Sequence, residues 1–221
     1  MPAHLLADWI TVAAAVAMAL FLFAALRYAD WAAVAREPGR MHLVAGGAVG
    51  CLLLWLLNIH LVDGLLLHFL GITTLTLVIG WSFSVLGAAL VMAAFYALKG
   101  LAWTAYPLAV VMCIVLPATT TWLLARALRR PGLQHPFVYM LGAGFAGGGL
   151  VVLLLSALAL SLFWFSGQTS YLEAAAEFWP LVFMLMFSEG FINGMCVSAL
   201  AIFYPDGMKT FDDKFYLDDQ R

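Results

Sequence analysis

The chain has 221 residues, of which 65% are hydrophobic and 10% charged, with a formal net charge of −2. A soluble domain carries about 25% charged residues, so this composition, with its repeated long apolar runs, excludes a water-soluble globule and indicates a polytopic membrane protein. The near-neutral balance offers no basic patch for nucleic acid.

Taken in order, the apolar runs predict an all-α membrane bundle of about seven transmembrane helices. The spans are Leu5–Leu26, Met41–Leu57, Gly64–Gly80, Trp81–Leu98, Ala105–Ala125, Phe137–Phe165 and Pro180–Tyr204. The opening MPAHLLADW lacks a basic n-region, so the first run is expected to be an uncleaved span. The sixth run is long and is expected to tilt or break at its glycines. Residues 1–204 read as a single bundle and 205–221 as a cytoplasmic tail too short to fold alone. That tail is expected to be disordered, to lie on the membrane, or to dock on a partner. Arg27, Arg36 and Arg40 follow span one, Arg126, Arg129 and Arg130 follow span five, and Lys209, Lys214 and Arg221 follow span seven. The positive-inside rule then places the N-terminus outside and the C-terminus in the cytoplasm, in a bacterial inner membrane.

Several polar residues fall inside these runs. Asp63 and His68 lie near the start of the third span, with Thr73, Thr74 and Thr76 beyond them. Ionisable groups at that depth face a cavity or a partner. His68 is a ligand type suited to nickel, copper, cobalt or zinc, or else a donor to the carbonyl of a neighbouring helix. Glu189 and Asn193 are four apart and share a helix face. They read either as a brace or polar path for a site, or as a plain interhelical clamp. His60 is an entry residue or secondary ligand, although helical spacing would put it about 12 Å from His68. His42 and His135 read as interfacial. Removal of Met1 would expose Pro2-Ala3-His4, whose amine, two amides and imidazole can wrap a metal in four nitrogens, a set that selects Cu(II) or Ni(II).

Other patterns carry less. Gly142-Ala-Gly144-Phe-Ala-Gly147 matches GxGxxG, but no strand precedes it, and small residues in a span serve helix packing. Ala13-xxx-Ala17 and Ala15-xxx-Ala19 are small-xxx-small faces of the same kind. Cys51, Cys113 and Cys196 form no CxxC pair and read as packed free thiols. With no GxxxxGK[ST] motif, any ATPase is a separate protein, and the chain reads as a transport component rather than an enzyme, with no nucleotide of its own.

GLLLHFLGITTLTLVIGWSFSVLGAALV, Gly64–Val91, resembles the CbiM-type permeases of energy-coupling-factor transporters, the substrate-capturing membrane subunits of cobalt and nickel uptake. FSEGFINGMCVSALAIFYPDGMKTFDDKFYL, Phe187–Leu217, is similar to the ending of a bacterial side branch of that group. The resemblance implies a metal held by the N-terminal amine and backbone, an N-terminal histidine and a histidine in a span like Gly64–Gly80. His68 matches the last of these, its HFLG resembling the family's HLxG. The family begins Met-His, whereas this chain begins Met-Pro-Ala-His, so the N-terminal pattern departs from the family's, and a trimmed Pro2-Ala3-His4 would be needed to rebuild a similar chelate. The resemblance also implies a transmembrane coupling subunit and a separate ATPase as partners, beside membrane lipid. Two other readings stand beside this one. One is a membrane-embedded haem- or copper-binding redox protein, and the other a structural subunit of a larger membrane complex.

Overall fold

The computed structural model describes residues 8–36, 38–62, 65–130, 132–212 and 215–216. It is an all-α membrane bundle. Among the described residues, five helices are long and apolar enough to cross a membrane: α1 (Asp8–Tyr28), α5 (Trp81–Lys99), Trp103–Leu128, Val138–Phe165 and α10 (Trp179–Phe203). The short α2 (Trp31–Arg36) leads into α3 (Pro38–Leu56), whose apolar part, Met41–Leu56, is shorter than these. Trp103–Leu128 is the most enclosed of the five, and α1 the most peripheral. Large side chains such as Leu90, Phe183 and Phe203 are exposed on the flanks, as expected where the solvent is hydrocarbon and every backbone polar group must be met internally.

The third expected span is corrected by the structure. Gly64–Gly80 is not one helix. β1 (Asn58–Val62) and β2 (Leu65–His68) pair antiparallel, and only α4 (Ile72–Ile79) is helical. The sequence signal was Asp63-Gly64 between Asn-Ile-His-Leu-Val and Leu-Leu-Leu-His, since Asp-Gly is a strong two-residue hairpin signal. The apolar run concealed it. Eight residues of helix rise about 12 Å, so α4 covers less than half of a bilayer core.

Two glycines set the ends of α4. Gly71 precedes it at φ +67 and Gly80 follows it at φ +83, a backbone region that side chains with a Cβ enter only at a cost. Gly80 lets α5 start one residue after α4 ends, which explains the tight Gly80-Trp81 joint.

The central helix is wound unevenly: α6 (Tyr106–Val110), a π-turn over Val111–Val115, then α7 (Leu116–Leu128). Pro117 lacks the amide that would bond back along this turn, and π-winding absorbs such interruptions. The sixth span is likewise π-wound over Val138–Ala146 before α8 (Gly147–Phe165). Its glycines are packing residues. A Cβ on Gly148 would lie 3.0 Å from the Gly190 Cα, and one on Gly190 would lie 2.6 Å from the Phe145 carbonyl oxygen. Lipid supplies no hydrophobic drive between helices, so close backbone contact of this kind holds them together. A short helix, α9 (Thr169–Glu177), joins α8 to α10 with no buried residue.

The described part of the tail packs on its own bundle. Met208, Phe211 and Tyr216 are buried with Leu77, Val78 and Tyr139. The Lys209 N–H donates to the Val78 carbonyl at 2.8 Å, and the Thr210 hydroxyl donates to the Leu77 carbonyl at 2.8 Å. The tail therefore satisfies carbonyls that the end of α4 leaves open.

Candidate metal centre

Between β2 and α4 the chain is neither strand nor helix, at residues 69–71. Irregular backbone inside a bundle must find partners for each polar group, and here other helices supply them. One Glu189 carboxylate oxygen accepts the Leu70 N–H at 2.9 Å, and the other accepts the Gly71 N–H at 2.8 Å. The indole N–H of Trp55, on α3, donates to the Leu70 carbonyl at 3.0 Å. The Gly71 carbonyl accepts the Leu75 N–H at 3.1 Å.

Asn193 completes the arrangement one turn along α10. Its Nδ2 donates to the Glu189 carboxylate and to the Glu189 backbone carbonyl, each at 2.8 Å. Its Oδ1 accepts the Thr74 N–H at 2.9 Å and the Thr74 hydroxyl at 2.7 Å. Every hydrogen-bonding position of the amide is used. Glu189 is 1% exposed and Asn193 0%, so these bonds form away from water. The first turn of α4 is thus capped by side chains from α10, which also places a carboxylate at the favourable end of the helix dipole.

His68 is the last residue of β2, two positions before this anchored stretch. Its Nδ1 lies 3.1 Å from the Phe69 carbonyl oxygen. A carbonyl can only accept, so Nδ1 carries the proton; in the neutral ring Nε2 then keeps its lone pair, and no hydrogen bond meets it among the described residues. The ring is fixed further by Trp55 and Phe95, at 5.9 and 6.4 Å between centroids. It lines a cavity of about 190 Å³ whose other members include Leu108, Met112, Cys113, Ser156 and Phe178. The chemistry this permits is donation by one oriented imidazole nitrogen. No group of three or more His, Cys, Asp or Glu side chains comes together among the described residues.

The comparisons bear on this arrangement. CbiM, described as "Cobalt uptake substrate-specific transmembrane region", matches residues 1–207. The chain belongs to the CbiM family. No curated protein and no solved structure matches it. This CbiM-family protein is therefore an integral membrane component of cobalt uptake, and a divalent metal is its substrate class.

The expected site residues of the CbiM-family chain fall into three groups. His68, Glu189 and Asn193 come together at the break. Thr73 does not join them: its hydroxyl accepts from Thr121 of α7 at 3.2 Å, a helix-to-helix contact. Pro2, Ala3, His4 and Asp63 lie outside the described residues, and of His60 only the backbone is described. In register, His60 faces Leu66, two positions from Asn58, which faces His68. Hairpin diagonals of this sort bring backbones to about 7–8 Å, closer than the helical spacing implied. His42 is exposed on α3, and His135 is stacked on Phe137 at 5.4 Å, so neither reaches the site.

Sequence reasoning missed two contributors. Trp55 gave no signal, because a tryptophan in an apolar run reads as lipid-facing or interfacial. Cys113 is a packed free thiol as expected, but it also lines the cavity beside His68, which its sequence context does not show. Cys196 is exposed on α10 rather than packed, and all three thiols are free.

Proposed function

We propose that this CbiM-family protein captures a divalent transition metal (nickel, cobalt or copper) at Nε2 of His68, and that Pro2-Ala3-His4 supplies the remaining nitrogens after removal of Met1. The observation that carries the reading is His68 at the break of a discontinuous span, lining a cavity, with Nδ1 engaged and no hydrogen bond to Nε2 among the described residues. Broken membrane segments with satisfied backbones are where transporters hold their substrates.

Reach supports the N-terminal part of the reading. Ile10 and Ala14 of α1 are buried against Leu108 and Met112, beside Cys113, Leu155 and Ala159. Leu108, Met112, Cys113, Leu155 and Ala159 all line the cavity that holds His68. Residues 1–7 span roughly 23–25 Å when extended, ample to cross such a cavity. A chelate of amine, amides and imidazole is planar, which favours Ni(II) or Cu(II) by geometry. Glu189 and Asn193 then act as the brace that sets the position of His68, with His60 and Asp63 at the approach.

In this reading the N-terminal side faces outward, and the ion passes toward the cytoplasm when a transmembrane coupling subunit and a separate ATPase drive the change, in a bacterial inner membrane. The redox alternative gains no support: among the described side chains, His68 is the one histidine that lines the cavity, and bis-histidine haem needs two facing ligands.

Elemental analysis of detergent-purified protein, paired with intact mass, tests the proposal. About one nickel, cobalt or copper ion per chain is expected, with Met1 absent, and His68→Ala is expected to lower affinity at least ten-fold. Unchanged affinity in His68→Ala would remove His68 from the site.

A further inference from the structure

A second, larger cavity of about 1000 Å³ opens at the opposite end of the bundle from the hairpin, where α1 and α7 end and α5 begins. It exists because α4 stops at Gly80 and the tail crosses beneath it. Its walls include Phe21, Val44, Val78 and Phe83, which suit an acyl chain. Its mouth carries Arg126, Arg129 and Lys209 against a single lining acid, Asp30.

Among the described residues the charges at the mouth are not balanced. Arg129 pairs with Asp212, and Lys209 approaches Asp30 at 3.9 Å. Arg126 has no acidic partner among the described residues, and its guanidinium sits 5.4 Å over the Trp122 ring. Trp81, Trp122 and Tyr28 also border the opening, and tryptophan and tyrosine mark the headgroup level of a bilayer. A cationic mouth at headgroup level above apolar walls fits one class of ligand, an amphiphile with an anionic head.

We propose that this cavity binds an anionic phospholipid of the surrounding membrane, with its phosphate on Arg126 and an acyl chain along the apolar wall. The site is separate from His68 and does not depend on the metal reading.

Native mass spectrometry of detergent-purified protein tests this, titrated with dioleoyl-phosphatidylglycerol, dioleoyl-phosphatidylcholine, or glycerol 3-phosphate. The expected result is saturable uptake of one phosphatidylglycerol, at least five-fold tighter than phosphatidylcholine. Arg126→Gln should weaken it about five-fold, as for loss of one cation near a headgroup, whereas Arg126→Lys should retain most of the binding. Lys99→Gln, at the hairpin end, controls for charge in general. Equal binding of the two lipids would overturn the proposal, as would displacement by glycerol 3-phosphate at matched concentration. So would wild-type binding in Arg126→Gln, or an equal loss in Lys99→Gln.

Discussion

The Glu189 carboxylate accepts three hydrogen bonds: Leu70 N–H on one oxygen, and Gly71 N–H and Asn193 Nδ2–H on the other. Glu189→Gln keeps the shape but turns one acceptor into a donor. The least costly orientation keeps the oxygen toward Gly71 and Asn193, so the new NH2 faces the Leu70 N–H and neither donor is satisfied. An unsatisfied buried donor costs about 1–3 kcal/mol, and no water enters a position that is 1% exposed in the parent. If the anchored break is the form that binds metal, the same 1–3 kcal/mol appears as a loss of affinity of roughly 5- to 150-fold. Two assays separate local from global effects. Hydrogen exchange at Leu70 and Gly71 should accelerate while α8 and the end of α10 stay protected, and chelator competition should report weaker metal binding. Glu189→Asp, which keeps the charge, should recover part of both. Unchanged exchange at Leu70 and Gly71 in Glu189→Gln would refute the claim that this side chain holds the break.

Gly190→Ala should be more damaging than its size suggests. The added Cβ would lie 2.6 Å from the Phe145 backbone oxygen, so the π-wound start of the sixth span and α10 must part, at about 1–3 kcal/mol of overpacking; an SDS-unfolding curve measures it, and an unchanged midpoint would contradict the packing argument. Thr210→Val removes the donor to the Leu77 carbonyl and the partner of the Tyr139 hydroxyl, 2.6 Å away. The expected cost is about 1–3 kcal/mol, seen as faster proteolysis of the tail with metal affinity little changed. Tyr216→Phe should instead stabilise by about 1 kcal/mol, because the hydroxyl is buried without a hydrogen-bond partner among the described residues. Burial also raises the Tyr216 phenol above its usual value of 10.0, with Asp212 adding and Arg129 opposing. The folded state holds that proton more tightly, so this contribution is full below pH 10 and declines as pH rises further. Thermal unfolding of Tyr216→Phe should lack that alkaline decline, and the same decline in both proteins would refute the assignment.

Sequence pattern alone was enough for the membrane bundle, because long apolar runs leave a segment few options in hydrocarbon. It also picked out His68, Glu189 and Asn193, since ionisable and amide groups at that depth stand out by their cost. The glycine run was readable as packing for the same reason, small residues inside a span. What hydropathy could not distinguish was a helix from a strand followed by half a helix, because Gly64–Gly80 is apolar either way. That break forms only because Glu189 and Asn193, more than a hundred residues later in the chain, and Trp55 satisfy its backbone. Local sequence carries no record of such partners. The tail shows the same limit: its composition permits a free end, but Thr210 and Tyr216 find the carbonyls and aromatic rings that α4 and Tyr139 present. Composition decided where this chain lives, and long-range hydrogen bonds decided the shape of its site.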